Sequence, residues 1–170
     1  MRILFLTDDR EDYLADALLH GLRQLSYIEL VDFPRKEILY KGHPDVSRSS
    51  IRGGGFTLYK LLNESETSPR RHQIWQQLET GLFDAVIISN IWRQWGLLLQ
   101  WRSLLKKQSL ILLDGDDDER HYPTSGTRYR MFGIGTGLKN LLEQPSTRIF
   151  KREWTHQTRF NPNKIKVHET

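Results

Sequence analysis

Cysteine is absent from the sequence, and its absence removes several kinds of chemistry at once. Without thiols the chain has no disulfides, no cysteine nucleophile and no cysteine-based zinc site. Chains without disulfides are typical of reducing compartments, so we expect a cytoplasmic protein. The chemistry left to the chain uses hydroxyl groups, carboxylates, imidazoles and cations.

Long apolar runs are also missing. No stretch approaches the ~20 apolar residues that a membrane span requires. The N-terminus, MRILFLTDD, reaches acidic residues too soon for a signal peptide. The six histidines have neither HExxH nor His-x-His spacing, so we expect no zinc site and assign no metal ligand. The sequence therefore predicts a soluble protein without a membrane span.

A strong charge of one sign is missing as well. The 25 basic and 21 acidic residues leave a net charge of +4, which gives little support to nucleic-acid binding. Between residues 148 and 170 six bases face two acids, so the surplus is concentrated at this end of the chain. A chain of 170 residues suits one domain, which we place at residues 1–158; residues 159–170 are then a basic tail or the start of an interdomain crossover.

What the sequence does contain is an alternation of apolar runs and helical patterns. Short apolar runs predict strands at Met1–Thr7, Ile28–Phe33, Phe83–Ser89 and Ser109–Leu113. Helical spacing predicts helices from Asp12 to Leu25, from Ser68 to Gly81 and from Ile91 to Lys107. Strands that alternate with helices indicate an α/β fold, a Rossmann-like three-layer domain with a mainly parallel sheet.

Several other segments carry less regular patterns. Residues 35–57 are predicted as a long loop because turn formers dominate and no period is clear. Phe56–Leu62 is predicted to be a short helix and Leu138–Glu143 a short helical stretch. Ile149–Trp154 fits either a strand or the start of a helix, and Lys164–Val167 fits a short strand.

Polar residues follow two of the predicted strands directly. Asp8 and Asp9 follow the first strand, and Asn90 follows the third, with Arg93 one helical turn further on. Because ligands bind at the carboxyl ends of parallel strands, these residues predict a ligand-binding cleft for hydroxyl-rich or cationic ligands, or for a divalent metal between carboxylates. The alternative is that Asp8, Asp9 and Asn90 only cap the helices that follow.

The fourth predicted strand ends in an acidic run, Asp114 to Glu119. Five carboxylates in six residues exceed what a helix cap requires, so we interpret Asp114 as a catalytic candidate and Asp116 as ligand-binding. His121 comes shortly after the run and is the second catalytic candidate, as a general base or a contact to a sugar ring.

Three consecutive glycines lie outside these strand ends. Gly53, Gly54 and Gly55 stand between Arg52 and Phe56, where bare backbone could cradle an anion or let a ligand approach closely. A flexible hinge explains the same glycines. Neither GxGxxG nor a P-loop follows the first strand, so the sequence gives no sign of a dinucleotide or P-loop site there.

A response-regulator receiver domain also begins with a strand that ends in paired acids. That fold requires a phosphoacceptor aspartate at the end of its third strand. This chain has Ser89 and Asn90 at that position, so it lacks the carboxylate that would accept the phosphoryl group.

The segments MRILFLTDD, GGGFTLY, FDAVIISNIWRQWG, LILLDGDDD and FKRE together resemble a known family. They are similar to the N-terminal domain of GT-B-type bacterial glycosyltransferase-like proteins, including the group similar to the spore-maturation protein CgeB. The resemblance implies an acceptor-binding domain that is incomplete for catalysis alone, with a second domain binding a nucleotide sugar. The implied partners are a nucleotide sugar or a glycan acceptor. The resemblance does not determine which cofactor the protein uses.

Two other interpretations remain. Asp114-Gly115-Asp116 has the form of a DxD motif, which in metal-dependent GT-A-type sugar transferases holds a divalent ion on the donor diphosphate. Alternatively, the chain is a stand-alone α/β interaction module without catalytic activity, whose exposed Trp and Arg faces bind a protein partner.

Overall fold

The computed structural model of the chain describes residues 1–44, 47, 58–63, 71–115, 140–152 and 166–167. Six strands are present: β1 (Arg2–Leu6), β2 (Glu29–Phe33), β3 (Ala85–Ile88), β4 (Leu110–Asp114), β5 (Thr147–Lys151) and β6 (Lys166–Val167). They form one sheet in the order β2-β1-β3-β4-β5-β6, and every neighbouring pair is parallel. The predicted α/β fold with a parallel sheet is therefore confirmed, and residues 147–151 are a strand and not the start of a helix.

Four α-helices are described, α1 (Tyr13–Arg23), α2 (Ile74–Glu79), α3 (Ile91–Gln100) and α4 (Arg102–Leu105). The Asp12 carboxylate accepts a hydrogen bond from the backbone N–H of Ala15, which makes Asp12 the N-cap of α1 and agrees with the predicted start of this helix. A 3-10 turn (Arg71–Gln73) precedes α2, while the predicted helix start at Ser68 lies outside the described residues. Residues 140–142 are helical, within the predicted stretch of 138–143.

Two apolar clusters cover the two faces of the sheet, because strands buried on both sides present apolar residues in both directions. On one face α1 packs with the segment that follows β2; the core members there include Phe5, Leu19, Leu39, Ile87 and Leu113. On the other face α2, α3 and α4 pack against the alternate strand residues; the members there include Leu6, Leu78, Ile88, Leu98, Leu105 and Leu112. The result is the three-layer arrangement that the sequence predicted.

Two predicted helices were wrong in extent or type. The helix predicted for Ile91–Lys107 is interrupted at Trp101, whose φ of −98° and ψ of 9° leave helical geometry and whose ring stacks on Phe33 at 5.4 Å. The described part of the predicted helix 56–62 is a turn, in which Lys60 has a φ of 51° and Leu62 bridges to Tyr40. A positive φ at a residue with a side chain does not fit a right-handed helix, so this segment bends instead.

The strand order creates one reversal in the path of the chain. From β1 the chain crosses to β2 at one edge of the sheet, and from β2 it returns to β3 on the other side of β1. In such doubly wound sheets a crevice forms at the carboxyl ends of the two strands on either side of the reversal, here β1 and β3. Among the described residues no helix has the length and apolar character to span a membrane.

A buried ion pair joins β4 to β5 at the same edge of the sheet. Asp114 and Lys151 are register partners, and Lys151 Nζ lies 3.3 Å from Asp114 Oδ1. Both side chains are only 1% exposed, so the pair is shielded from water. The backbone N–H of Arg152 donates to the Asp114 carbonyl at 3.0 Å, which continues the pairing past the end of β5.

Replacement of Lys151 by methionine should strongly destabilise the fold. We expect the free energy of unfolding to fall by about 3–5 kcal/mol, because the Asp114 carboxylate stays buried without its cation. Urea denaturation measures the change, with Lys106→Met as a control, since Lys106 is an exposed lysine. An equal effect of the two substitutions would contradict a buried ion pair.

Candidate functional site

A crevice of about 530 Å³ opens at the reversal of the chain, between the residues that follow β1 and those that follow β3. Its lining residues are Asp8, Asp9, Arg10, Asn90, Trp92, Arg93 and Trp95. One wall is therefore the loop between β1 and α1, and the other is the first turns of α3. Opposite charges, an amide and two indoles meet in one place.

The wall after β1 takes its shape from short polar contacts. Thr7 extends the pairing of β1 with β2, since its N–H donates to Phe33 O at 2.8 Å and its hydroxyl to Pro34 O at 2.6 Å. Asp8 Oδ1 then accepts the N–H of Arg10 at 2.8 Å and turns the chain. This turn leaves Asp9 and Arg10 exposed at the rim of the crevice.

Lys36 holds this wall from the side of β2. Its ammonium group is 3% exposed; it donates to Asp16 Oδ1 at 2.6 Å and to the carbonyl oxygen of Arg10. The other oxygen of Asp16 accepts the N–H of Asp12 at 3.4 Å. One buried cation thus ties the loop that follows β2 both to the loop that follows β1 and to the first turn of α1.

The position of Lys36 is itself fixed by a buried carboxylate in β2. Asp32 Oδ2 accepts the backbone N–H of Lys36 at 3.2 Å. Asp32 Oδ1 accepts from Arg23 Nη2 and from the Tyr40 hydroxyl, both at 2.9 Å. The Arg35 guanidinium lies 4.1 Å from the centre of the Tyr40 ring, in the geometry of a cation–π contact. The hydrogen bonds from Lys36, Arg23 and Tyr40 provide the buried Asp32 carboxylate with the partners that a charge in an apolar sheet requires.

The wall after β3 is ordered by Asn90 and Gln94. Asn90 is the N-cap of α3, and its side-chain oxygen accepts the N–H groups of Trp92 at 3.0 Å and of Arg93 at 3.1 Å. Gln94 is buried; its Nε2 donates to Leu6 O at 2.6 Å and to Ser89 Oγ at 2.9 Å. Since Leu6 ends β1, Gln94 fixes α3 to the neighbouring strand and sets the distance between the two walls.

Arg93 reaches from one wall of the crevice to the other. Its Nη1 lies 3.5 Å from both Asp8 Oδ1 and the Glu11 carbonyl oxygen, and 3.8 Å from Asp12 Oδ2. These distances are at the outer limit of hydrogen bonds and ion pairs, and the side chain is 28% exposed. Arg93 is thus attracted to the acidic loop without being locked to it.

The structure brings together four of the residues that the sequence analysis assigned to ligand binding, namely Asp8, Asp9, Asn90 and Arg93. Both interpretations of Asn90 apply, because it lines the crevice and also caps α3. Asp114, the catalytic candidate, lies apart in its buried ion pair and does not line the crevice. Gly53, Gly54, Gly55, Asp116 and His121 lie outside the described residues.

Sequence reasoning missed several residues of this region. The helical spacing of Trp92 and Trp95 is typical of core or interface positions, and Trp92 does pack against the apolar core, but both residues also line the crevice. Lys36, Asp16 and Asp32 were not singled out. A usable signal was present for Asp32, since a carboxylate inside the otherwise apolar strand IELVDF must find a partner once it is buried.

The fold and the crevice define the class of this protein as a doubly wound, Rossmann-like α/β domain with a polar site at its chain reversal. Within the described ranges no three His, Asp or Glu side chains converge as metal ligands would. Comparisons of the chain with protein families, curated proteins and solved structures found no match. Function must therefore be inferred from the crevice.

Loss of the Lys36 ammonium should destabilise the fold through its carboxylate partner. We expect Lys36→Met to lower the free energy of unfolding by about 3–5 kcal/mol, because Asp16 then stays buried with an unpaired charge. The double variant Lys36→Met/Asp16→Leu removes both charges and should recover much of this loss.

Urea denaturation of the two variants measures both effects, with Lys41→Met as a control at an exposed position. A double variant that is no more stable than Lys36→Met would show that the ion pair is not the origin of the loss.

The Asn90 cap gives a smaller and separable effect. Asn90→Ala should lower the free energy of unfolding by about 1 kcal/mol, since two N–H groups of α3 lose their acceptor. Asn90→Asp keeps an acceptor at the same place and should be nearly as stable as the original chain. Equal losses for the two substitutions, measured by thermal and urea denaturation, would be inconsistent with capping.

Proposed function

We propose that this chain is the acceptor-side domain of a glycosyltransferase-like protein and that it binds a sugar-type ligand in the crevice between β1 and β3. The observation that carries the proposal is the pairing of two indoles with carboxylate and amide groups at the chain reversal. The position of the crevice supports it, because doubly wound domains bind their ligands there. The similarity of MRILFLTDD, FDAVIISNIWRQWG and LILLDGDDD to the N-terminal domains of such proteins points the same way.

The lining residues suit the two kinds of surface that a sugar presents. The C–H face of a sugar ring is apolar and packs on an aromatic ring, and Trp95 is 38% exposed at the rim while Trp92 is half-buried. The hydroxyl groups at the edge of a sugar need fixed acceptors and donors. Asp9 makes no hydrogen bond or ion pair with any described residue, so its carboxylate oxygens are available as acceptors.

Binding without group transfer is the activity that the described crevice supports. A transfer reaction needs an acid or base that can exchange a proton with the acceptor hydroxyl. No histidine is among the described residues that line the crevice, and Asp9 is the lining carboxylate left to accept a proton. The catalytic candidate Asp114 is buried against Lys151, which argues against its use as the first carboxylate of a metal-binding DxD motif. As the resemblance implies, we assign recognition to this domain and the donor chemistry to a second domain.

An interaction module is the second candidate, and one observation favours it. Trp75 on α2 is 55% exposed and Leu82, just before β3, is 51% exposed, and neither lines the crevice. A protein partner that covers these side chains would bury apolar area that water now contacts. The two candidates place the important indole at different positions, so one experiment separates them.

Replacement of the crevice tryptophan should weaken sugar binding selectively. We expect Trp95→Leu to reduce the affinity for neutral mono- and disaccharides about threefold to tenfold, the effect of losing one aromatic packing surface. Trp75→Leu is the matched control, because it removes a more exposed indole outside the crevice and should leave the affinity unchanged. Titration calorimetry and ligand-observed NMR measure both.

Equal affinity of the two variants would contradict a sugar site at Trp95. Absence of binding for every sugar tested would contradict the proposed function as a whole. A protein partner whose binding depends on Trp75 and not on Trp95 would favour the interaction module.

A further inference from the structure

Two arginines that line the crevice have donor groups without a hydrogen-bond partner in the described part of the chain. Every side-chain contact of Arg93 goes through Nη1, so its Nε and Nη2 have no hydrogen-bond partner among the described residues. Arg10 contributes its backbone N–H and carbonyl to the loop, while its guanidinium has no hydrogen bond or ion pair in the described part of the chain. Both arginines are among the residues that line the crevice.

Arg93 is not required to hold the loop after β1. The buried Lys36 already does so, with a 2.6 Å ion pair to Asp16 and a hydrogen bond to the Arg10 carbonyl. The contacts of Arg93 are 3.5–3.8 Å long and its side chain is 28% exposed, and pairs of such length that water can reach contribute little to stability. The acidic loop therefore contacts Arg93 through Nη1, and no described residue contacts its Nε–Nη2 edge.

That free edge has the geometry of an anion site. Nε and Nη2 of a guanidinium form a planar fork whose two N–H groups match two oxygens of a carboxylate or a phosphate. Arg93 also stands in the first turn of a ten-residue helix, where the partial positive charge of the helix N-terminus adds to the attraction for an anion. Two independent features thus favour negative charge at the same point.

The lining carboxylates equal the lining guanidinium groups in number, but they differ in their hydrogen bonds. Asp8 already accepts the Arg10 N–H and faces Arg93, and Asp12 caps α1. Asp9 is the lining carboxylate that has no partner among the described residues. Among the described lining residues, two guanidinium groups thus keep unused N–H donors and one carboxylate keeps unused oxygens, so the crevice offers a ligand more charged donors than charged acceptors.

We propose that the ligand is an anionic sugar, with a carboxylate or phosphate group bound by the Nε–Nη2 edge of Arg93, Arg10 as a second cation, and hydroxyl groups directed to Asp9. This rests on the proposed sugar-binding function and specifies its ligand class. Arg93 is then the residue that determines specificity for the charged group, while the tryptophans contact the ring.

Four sugars of one stereochemistry and one sugar-free anion test the proposal: glucose, glucuronate, glucose 6-phosphate, glucosamine and inorganic phosphate. The measurements are the dissociation constant of each and the NMR shift of the Arg93 Nε–H signal. We expect glucuronate or glucose 6-phosphate to bind about tenfold to a hundredfold more tightly than glucose, as a charge-assisted hydrogen-bonded pair implies. The stronger of the two identifies a carboxylate or a phosphate as the anion.

Arg93→Gln should remove this preference, so that glucuronate and glucose 6-phosphate bind no more tightly than glucose. Arg93→Lys should keep only part of it, because an ammonium group lacks the planar fork. Arg102→Gln, at an exposed arginine of α4, is the matched control and should change nothing. Thermal denaturation verifies that all three variants are folded.

Equal binding of the neutral and anionic sugars, or strongest binding of glucosamine, would overturn the anion proposal while the sugar-binding function stands. If no sugar binds but inorganic phosphate shifts the Arg93 Nε–H signal and Arg93→Gln abolishes the binding, the anion site is supported and the sugar function fails. If phosphate also leaves the Arg93 signal unchanged, both are wrong.

Discussion

The buried ammonium group of Lys36 is the contact on which the crevice depends. A lysine 3% exposed to water is tolerated in a protein interior only when a carboxylate and further acceptors surround it, and Asp16 and the Arg10 carbonyl supply them. These partners belong to α1 and to the loop that follows β1, whereas Lys36 follows β2. The buried charge of Lys36 therefore fixes the segment after β2, the loop after β1 and the first turn of α1 relative to each other. This arrangement defines one wall of the crevice.

The contrast between Lys36 and Arg93, a cation of the opposite wall, separates a role in stability from a role in ligand binding. Lys36 is buried and makes short contacts with Asp16 and the Arg10 carbonyl, so its removal should affect stability. Arg93 makes long contacts through a single nitrogen and is partly exposed, so its removal should affect stability little. Because Lys36 and Gln94 hold the two walls, Arg93 is left with unused donors at a point where a ligand can approach. The same reasoning assigns Asp114, which is buried against Lys151, to stability.

Much of the fold could be predicted because its signals are local. The runs ILFL and AVII are apolar on both faces, which only a strand covered by two layers satisfies, and Asp12 and Asn90 precede their helices at cap positions. The break at Trp101 could not be predicted, since the helical spacing continues through it and the stacking partner, Phe33, is distant in the sequence. The turn at Lys60 could not be predicted either. The residue two positions later, Leu62, forms a β-bridge with Tyr40, which is distant in the sequence.

The sequence by itself determined the class of fold and the edge of the sheet at which polar residues collect, because strand and cap signals depend only on neighbouring residues. It placed Asp8, Asp9, Asn90 and Arg93 at strand ends and helix starts. Only the tertiary structure decided which of these residues meet, since the order of strands puts β1 beside β3 and β4 further away. It also decided that Asp114 is paired and that two nitrogens of Arg93 have no partner among the described residues, because burial and partnership are properties of the packed chain and are not visible in the spacing of residues.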